Sequence, residues 1–114
     1  SVLFFLDAHF PNADFGKTTY EDSIRSYKDD ALPLAKEIKT IKKHRDISKD
    51  CFIIDDWKLY DPDQAYEFGG WEHRDLQESL GLKTCSSEIL ENFKDTHNFQ
   101  VFLRHQGFLF VTPK

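Results

Sequence analysis

Two stretches of this chain are apolar without interruption. Val2-Leu-Phe-Phe-Leu6 runs into Asp7-Ala8-His9, and Cys51-Phe-Ile-Ile54 runs into Asp55-Asp56. Continuous rather than alternating apolarity is what a strand shows when both of its faces are covered, which is the habit of parallel sheets in α/β proteins. Both stretches therefore read as buried strands that stop abruptly at acidic residues. Between them Leu34, Ile38 and Ile41 recur at helical spacing, while Lys36, Glu37, Lys39 and Lys43 face out. This pattern predicts a helix from Leu32-Pro33 to about His44 that packs one stripe on the sheet, with its cationic end matched to the helix dipole. Strand, helix, strand is a right-handed crossover unit, so the two strands are expected to be parallel.

The remaining pattern fills in the other elements. From Pro11 to Asp30 the connection is long, and within it Thr19, with Asp22 three residues on, can cap a short helix carrying Tyr20, Ile24 and Tyr27 on one face. Such a piece could lie over a site as a lid. Asp61-Pro62-Asp63 and Gly69-Gly70 read as turns, followed by a helical stretch from Glu72 to Leu80 that Gly81 stops. A further helix is expected from about Ser87 to Thr96, with Ile89, Leu90 and Phe93 inward. The end reads as a hairpin, Phe99 to Arg104 and Phe108 to Thr112, turning through His105-Gln106-Gly107. The predicted order is β-α-β-α-α-β-β, in one α/β domain over residues 1–114.

Composition narrows the function classes. The 114 residues include eleven Phe, and 31% of all residues are charged, which is the make-up of a folded domain. A net charge of −5, with the basic residues 36–45 offset by Glu37 and Asp46, argues against nucleic acid as partner. No apolar run approaches the roughly 20 residues needed to span a bilayer, and no signal peptide is recognisable. Cys51 and Cys85 have no Cys or His at metal-finger spacing and read as reduced thiols. A cytoplasmic protein without membrane contact is expected.

The candidate chemistry lies at the carboxyl ends of the two apolar strands, where α/β folds bind ligands. If the strands are parallel neighbours, Asp7, His9, Asp55 and Asp56 meet at one rim. Magnesium prefers carboxylate oxygen and keeps several waters, so two or three aspartates without a thiolate suit it. Each residue also has a plainer reading. An Asp-Asp pair after a strand often makes a turn or a helix cap, and an exposed histidine beside acids can simply pair with them. Trp57, Trp71 and the tyrosines suit packing better than sugar stacking, and Gly69-Gly70 lacks the context of a phosphate loop.

Leu6-Asp7-Ala8-His9 after a strand, a Pro-containing helix, Ile54-Asp55-Asp56 after a second strand, then helices and a closing hairpin: this succession resembles the C-terminal half of a class I S-adenosylmethionine-dependent methyltransferase. Within that class it is most similar to the divalent-metal-dependent sugar O-methyltransferases. The resemblance implies a truncated Rossmann-like half-sheet that corresponds to strands four to seven of the family, the first two parallel and the last two an antiparallel hairpin beside the fifth. It implies Asp7, Asp55 and Asp56 as ligands of magnesium or manganese, and His9 near the position of a general base. The first three family strands and the Gly-rich cofactor loop have no counterpart here. The half-domain is thus expected to be catalytically incomplete alone, and S-adenosylmethionine is implied only if the other half is supplied.

The same reading leaves the edge of the first strand open and one sheet face bare, unless segments 11–30 and 57–71 fold over it. Natural proteins rarely leave such an edge unprotected. A homodimer or other homo-oligomer, joined at that edge or across that face, is therefore expected. The alternative to the methyltransferase-like reading is a stand-alone homo-oligomeric α/β protein that binds a small ligand or serves a structural role without catalysis.

Overall fold

The computed structural model describes residues 1–7, 13, 16–60 and 86–114. Their frame is a four-stranded sheet built from β1 (Leu3–Leu6), β2 (Cys51–Asp55), β3 (His97–Phe102) and β4 (Phe108–Pro113), in the spatial order β1-β2-β4-β3. β1 and β2 are parallel, with Leu3 opposite Cys51 and Leu6 opposite Ile54. β4 runs antiparallel to both of its neighbours and lies between them, with Leu109 opposite Ile54 on one side and Val101 on the other. The α/β class, the parallel first pair and the closing hairpin agree with the sequence pattern.

The helices are α1 (Tyr20–Tyr27), α2 (Leu34–His44) and α3 (Ser86–Glu91), with short 3₁₀ turns at Lys28–Ala31 and Trp57–Leu59. The predicted order leaves out the short helix expected behind Thr19; α1 is that helix, so the observed order has a further element between the first two strands. Thr19 caps it as its sequence suggests, accepting the Asp22 N–H at 3.1 Å. Its apolar face is narrower than expected: Ile24 lies in the core, whereas Tyr27 is exposed. Pro33 sits at the N-cap of α2, so that helix begins at Leu34. α3 ends at Glu91, short of Thr96, because Phe93 to Thr96 turn into β3, which is already paired with β4 at His97. The expected helix at 72–80 lies outside the described residues.

The expectation that both faces of β1 are covered is corrected. Burial along this strand alternates, with Leu3 62% and Phe5 58% exposed while Phe4 and Leu6 are half-buried. Phe52 and Ile54 of β2 and Leu109 and Val111 of β4 point to the face that receives Ile24, Leu34, Ile38 and Ile89 from the three helices and Phe93 from the turn after α3. Phe5, Ile53 and Phe110 share the opposite face by register. Apolar residues occupy both faces, so the sequence alone cannot reveal that the described helices cover only one.

Buried polar groups fasten the strands together at the end remote from the acidic rim. Asp50, directly before β2, accepts the Val2 N–H at 2.8 Å and the Arg45 guanidinium at 2.8 and 3.0 Å. The His97 ring donates from Nε2 to the Asp50 carbonyl at 2.9 Å, tying β3 to the same point. Arg45 also lies over the Phe4 ring, 5.7 Å from its centroid, a cation–π contact. One loop residue thus sets the phase of β1 against β2.

Candidate metal centre

The acidic rim forms because β1 and β2 are parallel and in register, so both chains leave the sheet on the same side. Asp7 follows Leu6, and Asp55 and Asp56 follow Ile54, the partner of Leu6 in the ladder. One carboxylate oxygen from each of the three aspartates lies within 4.8 Å of the other two. Oxygens on opposite sides of a magnesium ion sit ~4.2 Å apart, and around calcium ~5 Å, so the trio needs little movement to share one ion. All three donors are hard oxygens, with neither thiolate nor imidazole in the group. These residues fit a hard divalent cation. Asp7 is exposed, Asp55 half-buried and Asp56 buried, which leaves an open side for water or a ligand.

The local backbone explains how Asp56 reaches the rim. Its φ of 52° and ψ of 40° lie in the left-handed region, which a non-glycine residue enters at a cost. Its N–H donates to Asp55 Oδ1 at 2.7 Å, stabilising the turn. Asp55 therefore does perform the turn role that a strand-ending aspartate commonly has. Asp56 does not follow the plainer reading: it precedes the 3₁₀ turn at Trp57–Leu59, but its side chain makes no capping hydrogen bond there. The next two N–H groups are held by the hairpin tip, Trp57 donating to the Gly107 carbonyl at 3.1 Å and Lys58 to that of Gln106 at 3.0 Å.

Gly107 is required for that support. Its φ is +81°, and a Cβ there would meet the Phe102 carbonyl oxygen at 3.2 Å and Lys58 Cγ at 3.3 Å. The β3–β4 turn and the residues after Asp56 are thus packed as one unit.

Two further groups belong to the neighbourhood of the rim. Tyr60 is 5% exposed, and its phenol is pushed well above the usual range, first by burial and then by the negative charges of Glu37, Asp56 and Asp7. Glu37, in the first turn of α2, has a carboxyl held above its ordinary value by burial. Its Oε2 is buried and has no hydrogen-bond partner. The expectation that Glu37 faces outward with Lys36, Lys39 and Lys43 is therefore corrected: the three lysines are exposed and Glu37 is half-buried. Glu37 is not among the three clustered carboxylates, but its charge acts on Tyr60 together with those of Asp56 and Asp7. Helical periodicity masks that role, because it assigns every charged residue to the outer face.

His9 and Cys85 lie outside the described residues, so the structure brings together Asp7, Asp55 and Asp56 alone of the residues expected at the site. The lid expectation for segment 11–30 meets a finding of another kind: Ser23 and Ile24 of α1 are fully buried, which anchors this helix in the main core. Among the described residues no helix is long and apolar enough to cross a membrane. Searches of protein-family models, of curated proteins and of solved structures found no match to this chain.

Proposed function

We propose that this chain binds a hard divalent cation, magnesium or manganese, through Asp7, Asp55 and Asp56, and offers it to an oxygen-rich ligand such as a sugar diol. The observation that carries this reading is the convergence of three carboxylates from two strands, far apart in sequence, at the carboxyl rim of a parallel pair. An ion held there supplies Lewis-acid polarisation of a coordinated hydroxyl. The chain's own part is to fix the carboxylates: the β1–β2 register sets Asp7 against Asp55, and the left-handed turn at Asp56 adds the third. The buried Tyr60 phenol, whose ionisation is disfavoured by burial and by the charges of Glu37, Asp56 and Asp7, adds no negative charge of its own.

Within that reading the chain is a methyltransferase-like half-domain, incomplete as a catalyst alone, with His9 as the base and S-adenosylmethionine bound only once a cofactor-binding half is supplied. The sheet order β1-β2-β4-β3, with an antiparallel hairpin beside the second parallel strand, supports the likeness to the later strands of that fold. A second reading, a homo-oligomeric ligand-binding or structural protein without catalysis, is favoured by the exposure of Leu3 and Phe5. Calorimetric titration of the chain with manganese tests the site common to both. Binding that Asp56→Asn weakens by roughly tenfold or more supports it. Heat identical to buffer dilution at millimolar metal removes it.

A further inference from the structure

The outer edge of β1 carries a backbone pattern that can be read group by group. The Cys51 N–H donates to the Val2 carbonyl at 2.9 Å, which sets the phase of the parallel ladder: Val2, Phe4 and Leu6 turn their peptide groups toward β2. Leu3 and Phe5 consequently turn their N–H and C=O groups away from the sheet. No strand among the described residues pairs with that edge. Natural edge strands are protected by lysine, proline, a bulge or extreme brevity. Val2 to Leu6 has no charge and no proline, and its ladder with β2 runs without a bulge; the one protection it carries is the four-residue length of β1. The other edge differs, since β3 carries Asn98 and Gln100.

We propose that β1 pairs with β1 of a second copy of this chain, antiparallel about a two-fold axis through Phe4, to make one continuous sheet across the dimer. The outward groups fix the parity of the register, and centring on Phe4 pairs the apolar stretch Val2 to Leu6 over its full length. Antiparallel strands alternate between residue pairs that exchange two hydrogen bonds and pairs that exchange none. With Phe4 opposite its own copy in a non-bonded pair, Leu3 exchanges both bonds with Phe5 of the partner subunit, and Phe5 does so with Leu3 of the partner subunit. Every outward N–H and C=O of Leu3 and Phe5 is then satisfied. A shift of one residue would instead direct the outward groups of one strand at residues whose groups already face β2.

Side chains agree with this register. Leu3 and Phe5, 62% and 58% exposed, become cross-strand neighbours on the open face, and Val2 meets Leu6, so apolar faces apolar at each step. The patch carries no charge that would select a different partner. A second copy is the occupant whose donors and acceptors match by symmetry. The shared strand is only four residues long, so the dimer is expected to depend on concentration.

Sedimentation velocity from micromolar to submillimolar protein tests the proposal, together with amide hydrogen exchange. A monomer–dimer equilibrium is expected, with Leu3 and Phe5 amides gaining protection as the dimer fills. Phe5→Lys places a charge on the exposed edge and should abolish association while leaving the circular dichroism spectrum unchanged. Phe102→Lys, on the same sheet face but on β3, should leave it intact. A strict monomer throughout overturns the proposal. A dimer that survives Phe5→Lys but is lost with Phe102→Lys also overturns it, since that result places the contact on the sheet face. Unprotected Leu3 and Phe5 amides in a filled dimer overturn it as well.

Discussion

Arg45 holds Asp50 with two guanidinium nitrogens, Nε and Nη2, while the same carboxylate accepts the N–H of Val2. Burial alone would raise the Asp50 carboxyl, but the Val2 N–H and the Arg45 guanidinium outweigh it and hold the group below the ordinary value of 3.8. A carboxyl depressed on folding stabilises the native state above its unfolded value and loses that contribution as pH falls through its folded value. Urea unfolding should therefore show a steep loss of stability as pH drops below 3.8. Asp50→Asn should be less stable at neutral pH and lack that part of the acid limb. An unchanged acid limb in the variant would show that other carboxylates dominate.

Glu37 has the opposite sign. Burial raises its carboxyl above the ordinary value of 4.5. Its protonated form is favoured in the folded state, so this group costs stability once pH rises through the raised value. Glu37→Gln should raise Tm at neutral pH, and the difference should vanish below the ordinary glutamate range. If Glu37 lies in the field of a bound cation, adding manganese should narrow the neutral-pH difference. A variant less stable than the parent at pH 7 would mean that Glu37 has a favourable partner.

Gly107 is the clearest single backbone requirement near the rim. Gly107→Ala forces a side chain into the left-handed region and against the Phe102 carbonyl. It should cost ~1–2 kcal/mol in denaturant unfolding. Because the Trp57 and Lys58 N–H groups hang from the Gly107 and Gln106 carbonyls, manganese affinity should fall with it. Full affinity in a destabilised variant would uncouple the hairpin tip from the rim.

A cation that binds only the folded chain must also stabilise it. At a hundredfold excess over its dissociation constant, manganese should add about 2.7 kcal/mol. The gain should vanish in the triple variant Asp7→Asn, Asp55→Asn, Asp56→Asn, which thermal melts with and without metal will check.

How far the sequence could be read follows from which residues act locally. Thr19 and Asp22 form a cap by themselves, and β1 and β2 announce themselves by apolarity, so α1 and the parallel pair were legible. The meeting of Asp7 with Asp55 and Asp56 followed once the pair was parallel. What escaped depends on the third dimension. Glu37 looks solvated in a helical repeat, and only its place in the first turn of α2 brings it beside Tyr60. Covered and bare sheet faces look alike where Phe4 and Phe5 are the same residue. Helical spacing overstates the length of α3 because Phe93, a core residue, continues that spacing after the backbone has begun to turn.

The central position of β4 has a consequence for synthesis. The strand that completes the hydrogen bonding of β2, and covers Ile54 with Leu109, is the latest of the four to leave the ribosome. Until then a nascent chain can form the parallel crossover but not the middle of its sheet, and its slowest contacts join residues far apart in sequence. Phe52 and Ile54 stay open on that flank during elongation, so the interval before β4 arrives is when this chain is most exposed to misassociation and to chaperone capture.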